Sequence, residues 1–111
     1  MKLILGAAQF GLPYGVTRPA DHVSDDVLQD ILAAAASLGV SMVDTSPAYG
    51  ESEARLGTAN FDPILGAQTK SRGGQNNLAV AGAAADFARS QTLLGRETFD
   101  SFLIHSVGQL F

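Results

Sequence analysis

Short apolar runs alternate with segments of helical periodicity along the chain. The apolar runs cover residues 3–8, 40–44, 64–70 and 99–105, and each resembles a strand that is buried on both faces. The segments between them place apolar side chains three and four positions apart, a spacing that predicts helices. The predicted order is β-α-β-α-β-α-β. Because each helix returns the chain to the same end of the sheet, the strands are expected to be parallel.

The first predicted helix has start and stop signals at both ends. Ser24 can cap its N-terminus and Gly39 can end it. Asp25 and Asp26 fall in the first turn, where carboxylates suit the helix dipole. The apolar side chains that recur at spacings of three and four, and so predict this helix, are Val27, Ile31, Ala35 and Leu38.

Two further helices are predicted from the same kind of signal. Residues 51–56 form a short one that Gly57 closes. Asn76 or Asn77 can cap a longer one that stops at Gly95. The apolar face expected for this longer helix comprises Leu78, Ala81, Ala85 and Ala88.

The order of elements allows two common α/β architectures, an open doubly wound sheet and a stretch of a (β/α)8 barrel. No internal repeat, linker or low-complexity segment divides the chain, so residues 1–111 are predicted to belong to one domain. The pattern of elements leaves both architectures open.

Composition and charge exclude several classes of function. Apolar residues make up 46% of the chain and charged residues 16%, which is typical of a folded domain. The net charge of −4 and the scattered basic residues disfavour nucleic acid as a partner. The chain has no cysteine, which removes disulfides and thiolate chemistry. The opening residues lack a signal-peptide pattern and no apolar stretch is long enough for a membrane span, so a cytoplasmic protein is expected.

Three ionisable residues stand at the ends of predicted strands. Asp44, Lys70 and His105 end the second, third and fourth strands, and Tyr49 follows in the loop after Asp44. Because the C-terminal ends of parallel strands share one face, these four side chains are expected to meet there.

Such a group suits the reduction of a carbonyl compound by hydride. A lysine ammonium beside a phenol favours the phenolate and so helps the phenol to give up its proton. An aspartate paired with the lysine keeps the ammonium charged, and an imidazole can orient a carbonyl oxygen. The residues thus predict Tyr49 as the acid, tuned by Lys70 and Asp44, with His105 orienting the carbonyl.

Several segments of the chain resemble the aldo-keto reductases. They are LGAAQFGLPYG at 5–15, VDTSPAYGESEARLG at 43–57, QTK at 68–70 and LLGRETFDSFLIH at 93–105. The first of them looks most like bacterial members. The resemblance implies a (β/α)8 barrel that uses NADPH, less often NADH, to interconvert small carbonyl compounds and alcohols. It also implies a catalytic tetrad, formed here by Asp44, Tyr49, Lys70 and His105, with Tyr49 as the general acid/base.

The resemblance also implies contacts with the nicotinamide cofactor. The positions implied are Gly6, Ala7 and Asp44; Gly6 matches the family's glycine at the first strand, whereas Ala7 replaces the threonine that usually follows it. The family's main cofactor contacts fall mostly in the second half of its barrel. We therefore expect weak cofactor binding and little or no activity from these residues alone.

A complete (β/α)8 barrel has eight strands and typically about 250 residues. The predicted fold is therefore the N-terminal half of such a barrel, truncated after strand four, because the 111 residues supply four strands. Strands one and four would be open edges. Self-association, or pairing with a complementary C-terminal half, is accordingly expected.

Other interpretations of the same residues remain open. A non-catalytic half-barrel that acts as an interaction module is one, and an aldolase that forms a Schiff base at Lys70 is another. Gly73 and Gly74 could cradle an anion, but a loop without that role is favoured because the glycine fingerprint is absent. His22 has no companion ligand, so no metal site is predicted.

Overall fold

The computed structural model describes residues 2–12, 23–59, 65–71 and 79–104, with the backbone alone for 79 and 80. The strands form one parallel sheet in chain order, β1-β2-β3-β4. They are β1 (Ile4–Gly6), β2 (Met42–Asp44), β3 (Gly66–Lys70) and β4 (Ser101–Leu103). The helices are α1 (Asp25–Ser37), α2 (Ser52–Ala59) and α3 (Ala79–Leu94). The predicted order of elements is confirmed, and a sheet whose strands follow chain order is typical of a barrel rather than of a doubly wound fold, whose strand order reverses.

The ends of α1 and α3 follow the predicted signals. The Ser24 hydroxyl accepts a hydrogen bond from the Val27 N–H at 3.3 Å and so caps α1. Gly39 and Gly95 end α1 and α3 with φ angles of +79° and +65°, a conformation that glycine adopts without steric cost. The predicted cap at Asn76 or Asn77 falls outside the described residues.

The strands are shorter than the apolar runs that predict them. The first run continues to residue 8, but β1 ends at Gly6 and a short 3₁₀ helix, Ala8–Phe10, follows. This turn buries Phe10, two residues beyond the run, so Phe10 packs in the core without belonging to the sheet. Residue 64 and His105, predicted as strand residues, lie outside the described ranges.

The buried face of α1 differs from the predicted one. Leu28, Leu32 and Ala35 are buried, whereas Val27 is 43% and Leu38 is 76% exposed. Helical spacing connects both sets, because the helix carries two overlapping apolar stripes. The stripe centred on Leu28 and Leu32 belongs to the buried core, whereas Val27 and Leu38 of the predicted stripe are exposed.

The predicted face of α3 was also wrong. Ala81, Ala85 and Ala88 are exposed, and Leu78 falls outside the described residues. The buried positions in the described part of this helix are Asp86, Ser90 and Leu94. Alanine gains little from burial, so an alanine stripe on a helix does not determine its orientation. Leu94 packs into the core, and polar contacts between α3 and α2 help to set the orientation as well.

A buried carboxylate joins α2 to its neighbours. Glu53 is 1% exposed and accepts hydrogen bonds from Thr69 Oγ1 of β3 at 2.5 Å and from Ser90 Oγ of α3 at 2.9 Å. Burial of an unpaired polar group is costly, so these hydroxyls are what make burial of the carboxylate possible. They also fix the rotation of α3 that brings Ser90 inward.

Gly57 lies inside α2 rather than at its end, contrary to the prediction. The helix continues to Ala59. A Cβ atom at residue 57 would overlap the main-chain carbonyl of Leu93, because α2 and α3 come into direct backbone contact there. This glycine therefore permits close helix packing instead of terminating a helix.

Replacing Gly57 with alanine is expected to destabilise the protein by about 1–3 kcal/mol, because α2 and α3 must separate to admit the methyl group. Gly82 of α3 is the matched control, since nothing lies within 4 Å of the Cβ that alanine would add. Gly82→Ala should raise stability by about 0.5–1 kcal/mol, the gain in helix propensity. Urea unfolding of both variants checks this, and equal changes would contradict the packing interpretation.

The core lies between the sheet and the helices. Along β3, Ala67 and Thr69 are buried on the helix side, whereas Gly66, Gln68 and Lys70 are half-buried on the other side. Within the described ranges, no helix is both long enough and apolar enough to cross a membrane. The half-buried face of the sheet carries the candidate site.

Candidate active site

The candidate site is built on one row of residues across the sheet. Gly6 pairs with Asp44, Asp44 with Gln68, and Gln68 with Ser101 in the parallel registers of the four strands. Register partners point to the same face of a sheet. Lys70 stands two residues beyond Gln68 on β3 and therefore points to that face as well.

Lys70 and Asp44 form an ion pair at the end of β2 and β3. Lys70 Nζ lies 3.0 Å from both Asp44 Oδ1 and Asp44 Oδ2. The side chains are 13% and 24% exposed, respectively, so water competes only in part for these contacts. The lysine ammonium is held in a defined place rather than free in solvent.

The phenol of Tyr49 lies next to the same ammonium. Lys70 Nζ is 3.5 Å from the Tyr49 hydroxyl oxygen and 5.3 Å from the centre of the ring. The ammonium is thus within reach of both a carboxylate and a phenol. This arrangement can stabilise negative charge on the phenol oxygen when its proton leaves.

The loop that carries Tyr49 is placed by contacts between main-chain atoms. A Cβ atom at Gly11 would overlap the Tyr49 carbonyl oxygen, and one at Gly50 would overlap the Gly11 carbonyl. Gly50 also has a φ of +56°, in the left-handed region. The turn after β1 and the turn after β2 therefore touch backbone to backbone.

Hydrogen bonds join the same two turns below the site. Ser52 Oγ donates to the Ala7 carbonyl at 2.9 Å and lies 3.1 Å from Thr45 Oγ1. The Ala7 N–H donates to the Asp44 carbonyl at 2.9 Å. Ala7, Thr45 and Ser52 are buried, and these contacts fix the end of β1 against the end of β2.

Arg55 connects α2 to the segments around it. Its guanidinium donates to the carbonyls of Phe10 and Val23, each at 2.6 Å, and to the Asp25 carboxylate at 2.8 Å. One side chain therefore fixes α2 to the 3₁₀ helix and to the start of α1.

The residues predicted to approach the cofactor occupy different environments. Gly6 is exposed, and nothing lies within 4 Å of the position that a Cβ would take. Ala7 is fully buried, and its N–H and carbonyl both have partners within the chain. The open space lies in front of Gly6 and beside Asp44.

The structure brings three of the four predicted tetrad residues together, namely Asp44, Tyr49 and Lys70. His105 lies outside the described residues, and so do Gly73, Gly74 and His22. Among the residues that are described, no group of three His, Cys, Asp or Glu side chains is placed to hold a metal ion.

Two polar residues of the site were not predicted. Gln68 Nε2 donates to Asp44 Oδ1 at 2.8 Å, and Ser101 Oγ donates to Gln68 Oε1 at 2.6 Å. The available signal was the alternation of a strand, because Gln68 is separated from Lys70 by one residue and must share its face. Gln68 was not recognised as a candidate site residue because its side chain is uncharged and lies inside an apolar run.

Comparisons with known proteins agree on one family. The sequence profile of the Aldo/keto reductase family matches residues 2–110. A Pseudomonas aeruginosa protein assigned to the aldo-keto reductases superposes with a TM-score of 0.78 at 32% identity, over 95% of this chain and 42% of that one. The aldo-keto reductase of Bombyx mori, solved with NADP, gives 0.63 at 20% identity, over 92% of this chain and 33% of that one. The aldose reductase of Giardia lamblia gives 0.60 at 14% identity, over 94% of this chain and 32% of that one. No curated protein sequence matches the chain significantly.

The superpositions confirm the predicted half-barrel fold. The four strands and three helices correspond to part of the (β/α)8 barrel of these reductases. The chain spans 42% of the length of the Pseudomonas aeruginosa structure. A family profile that matches nearly every residue settles the relationship, and this chain belongs to the aldo/keto reductase family.

Proposed function

We propose that this chain provides the proton-transfer residues of an NAD(P)H-dependent oxidoreductase that interconverts aldehydes or ketones and alcohols. The position of Lys70 Nζ, 3.0 Å from the Asp44 carboxylate and 3.5 Å from the Tyr49 hydroxyl, is the observation that supports it most. Membership of the aldo/keto reductase family supports an oxidoreductase in general.

In the direction of reduction, Tyr49 gives its hydroxyl proton to the carbonyl oxygen as that oxygen becomes a hydroxyl. The Lys70 ammonium stabilises the phenolate that remains, because it lies next to the phenol oxygen. Asp44 holds the ammonium in place through both carboxylate oxygens. His105 is proposed to orient the carbonyl. In the direction of oxidation, the same tyrosine receives the proton of the alcohol.

The residues present fit a nicotinamide cofactor. Gly6 leaves open space at the end of β1, next to Asp44, and the family relationship together with the NADP complex of the Bombyx mori relative supports NADPH, with NADH as the alternative. When bound, the cofactor supplies the hydride for the carbonyl carbon. Gly6, Ala7 and Asp44 remain the proposed contacts on this chain. Burial of Ala7 leaves Gly6 as the more accessible of the first two.

The contacts of Lys70 favour a reductase over the Schiff-base alternative. An amine that attacks a carbonyl carbon must offer a free lone pair. Here the nitrogen donates to both oxygens of Asp44 at 3.0 Å, so attack on a carbonyl carbon would first have to break these contacts. An ammonium fixed beside a phenol suits acid catalysis at Tyr49 instead.

The rest of the barrel is the partner that this proposal requires. A chimera in which this chain replaces the matching part of the Pseudomonas aeruginosa protein supplies the remaining strands and the family's main cofactor contacts. We expect the chimera to oxidise NADPH when benzaldehyde is added, as followed by the absorbance of the reduced nicotinamide. The isolated chain is assayed beside it.

Two results would count against the proposal. One is a chimera that folds by circular dichroism and quenches NADPH fluorescence but shows no aldehyde-dependent oxidation. The other is a failure of both the chimera and the isolated chain to bind NADPH, which would favour the interaction-module alternative.

A further inference from the structure

The amide of Gln68 joins the proposed proton-transfer residues to β4. Its Nε2 donates to Asp44 Oδ1 at 2.8 Å, and its Oε1 accepts from Ser101 Oγ at 2.6 Å. The three residues are consecutive register partners on β2, β3 and β4, so a continuous polar row crosses three strands.

The chemistry of the groups determines the direction of each hydrogen bond. An ionised carboxylate can only accept, so the NH₂ end of the amide must face Asp44. The carbonyl end, which can only accept, then faces Ser101, and the hydroxyl must donate to it. A reversed amide would place two acceptors against each other at Asp44. The orientation of Gln68 is therefore fixed at both ends.

Gln68 restricts the one movement that Lys70 leaves to the Asp44 carboxylate. Lys70 Nζ contacts both oxygens at 3.0 Å, an arrangement that can persist while the carboxylate tilts about its Cβ–Cγ bond. A second donor on Oδ1 from a different direction removes that freedom. Asp44 is 24% exposed and Lys70 13%, so water is a weak substitute for the amide.

We infer that Gln68 is a positioning residue: it holds the Asp44 carboxylate, and through it the Lys70 ammonium, beside the Tyr49 hydroxyl, and Ser101 holds Gln68 in turn. The expected effect of Gln68 on catalysis rests on the proposed function. Its expected effect on how firmly the Lys70 ammonium is held does not, and that effect can be measured without cofactor or substrate.

A purely structural role for Gln68 makes a different prediction. If the amide only joined β3 to β4, its loss would weaken the fold as a whole and leave the local order of the Lys70 ammonium unchanged. The experiment must therefore observe Lys70 Nζ itself and compare variants at equal loss of stability.

The chain contains only two lysines, Lys2 and Lys70, which makes that observation direct. In a Lys2→Arg background labelled with ¹⁵N-lysine, the one side-chain ammonium signal belongs to Lys70. Hydrogen exchange of this ammonium with water reports how firmly it is held. In Gln68→Leu we expect exchange to be faster by about fivefold, the change that loss of one ordinary hydrogen bond allows.

Gln91→Leu is the matched control, because it removes a glutamine hydrogen bond, from Gln91 Nε2 to the Glu97 carbonyl at 2.6 Å, at the end of α3 and away from the site. It should leave exchange of the Lys70 ammonium unchanged. Ser101→Ala keeps Gln68 and removes only the contact that orients it, so a smaller acceleration is expected. This variant decides the outcome if Gln68→Leu does not fold.

The inference would be overturned if exchange of the Lys70 ammonium were unchanged in a folded Gln68→Leu variant. If only Ser101→Ala folds, unchanged exchange in that variant would overturn it. Equal acceleration in Gln91→Leu would overturn it as well. In the chimera, Gln68→Leu should lower kcat by about the same factor with little change in KM. Faster Lys70 exchange in Gln68→Leu of this chain, together with a chimera whose turnover does not depend on Tyr49, would refute the proposed function and leave the positioning role standing. Unchanged exchange in this chain, together with a chimera that does depend on Tyr49, would do the reverse.

Discussion

Replacing Tyr49 with phenylalanine in the chimera is expected to lower kcat by about 10²- to 10⁴-fold, the range over which a general acid contributes. The reason is that phenylalanine keeps the ring above Lys70 Nζ but has no proton to give to the carbonyl oxygen. Affinity for NADPH should not change, since only the hydroxyl is lost. Steady-state kinetics and fluorescence titration with NADPH measure the two quantities.

The chain offers a matched control for this substitution. Its other tyrosine, Tyr14, does not belong to the proposed proton-transfer group, so Tyr14→Phe should leave kcat within a few-fold of the parent. A Tyr49→Phe enzyme that retains the parent kcat would refute the role of the phenol. A parallel loss in both variants would show a general effect of removing hydroxyls.

Replacing Glu53 with alanine is expected to lower the free energy of unfolding by about 3 kcal/mol or more, because it leaves two buried hydroxyls without their acceptor and opens a cavity. Thr69 and Ser90 are both fully buried, so water cannot easily replace the carboxylate. Domains of this kind are stable by only about 5–15 kcal/mol, so the loss is a large share of the total. The midpoint of urea unfolding at an unchanged slope measures it.

Glu51 provides the control for the substitution at Glu53. It is exposed and lies just before α2, so Glu51→Ala should change stability by no more than about 0.5 kcal/mol. Glu53→Gln keeps the shape of the side chain and should fall between the two. Similar unfolding midpoints for the Glu51 and Glu53 alanine variants would show that the buried contacts contribute little.

The sequence predicted the order and direction of the elements because each signal is local. Ser24, Gly39 and Gly95 act within one turn of their own helix, and these assignments were correct. Gly57 was wrongly predicted to end its helix, because the reason for a glycine there is the nearby Leu93 carbonyl, which is distant in sequence. The inward position of Ser90 on α3 goes with its contact to Glu53, a polar contact that hydrophobic periodicity cannot reveal.

The part of the candidate site that lies at strand ends was predictable from the sequence. Asp44 and Lys70 end adjacent strands, so parallel topology alone brings them together. The contact of Tyr49 with Lys70 depends on a turn, and the family resemblance indicated it more strongly than the turn residues did. Gln68 and Ser101 were missed because their pairing requires the register of β3 with β4, which the sequence does not state.

The backbone contact between Gly11 and Gly50 has a practical consequence for engineering. Because main-chain atoms make that contact, a side chain at residue 11 or residue 50 would force the two turns apart. Libraries that vary the residues around Tyr49 should therefore keep both glycines, since even a methyl group at either position would displace the loop that carries the phenol.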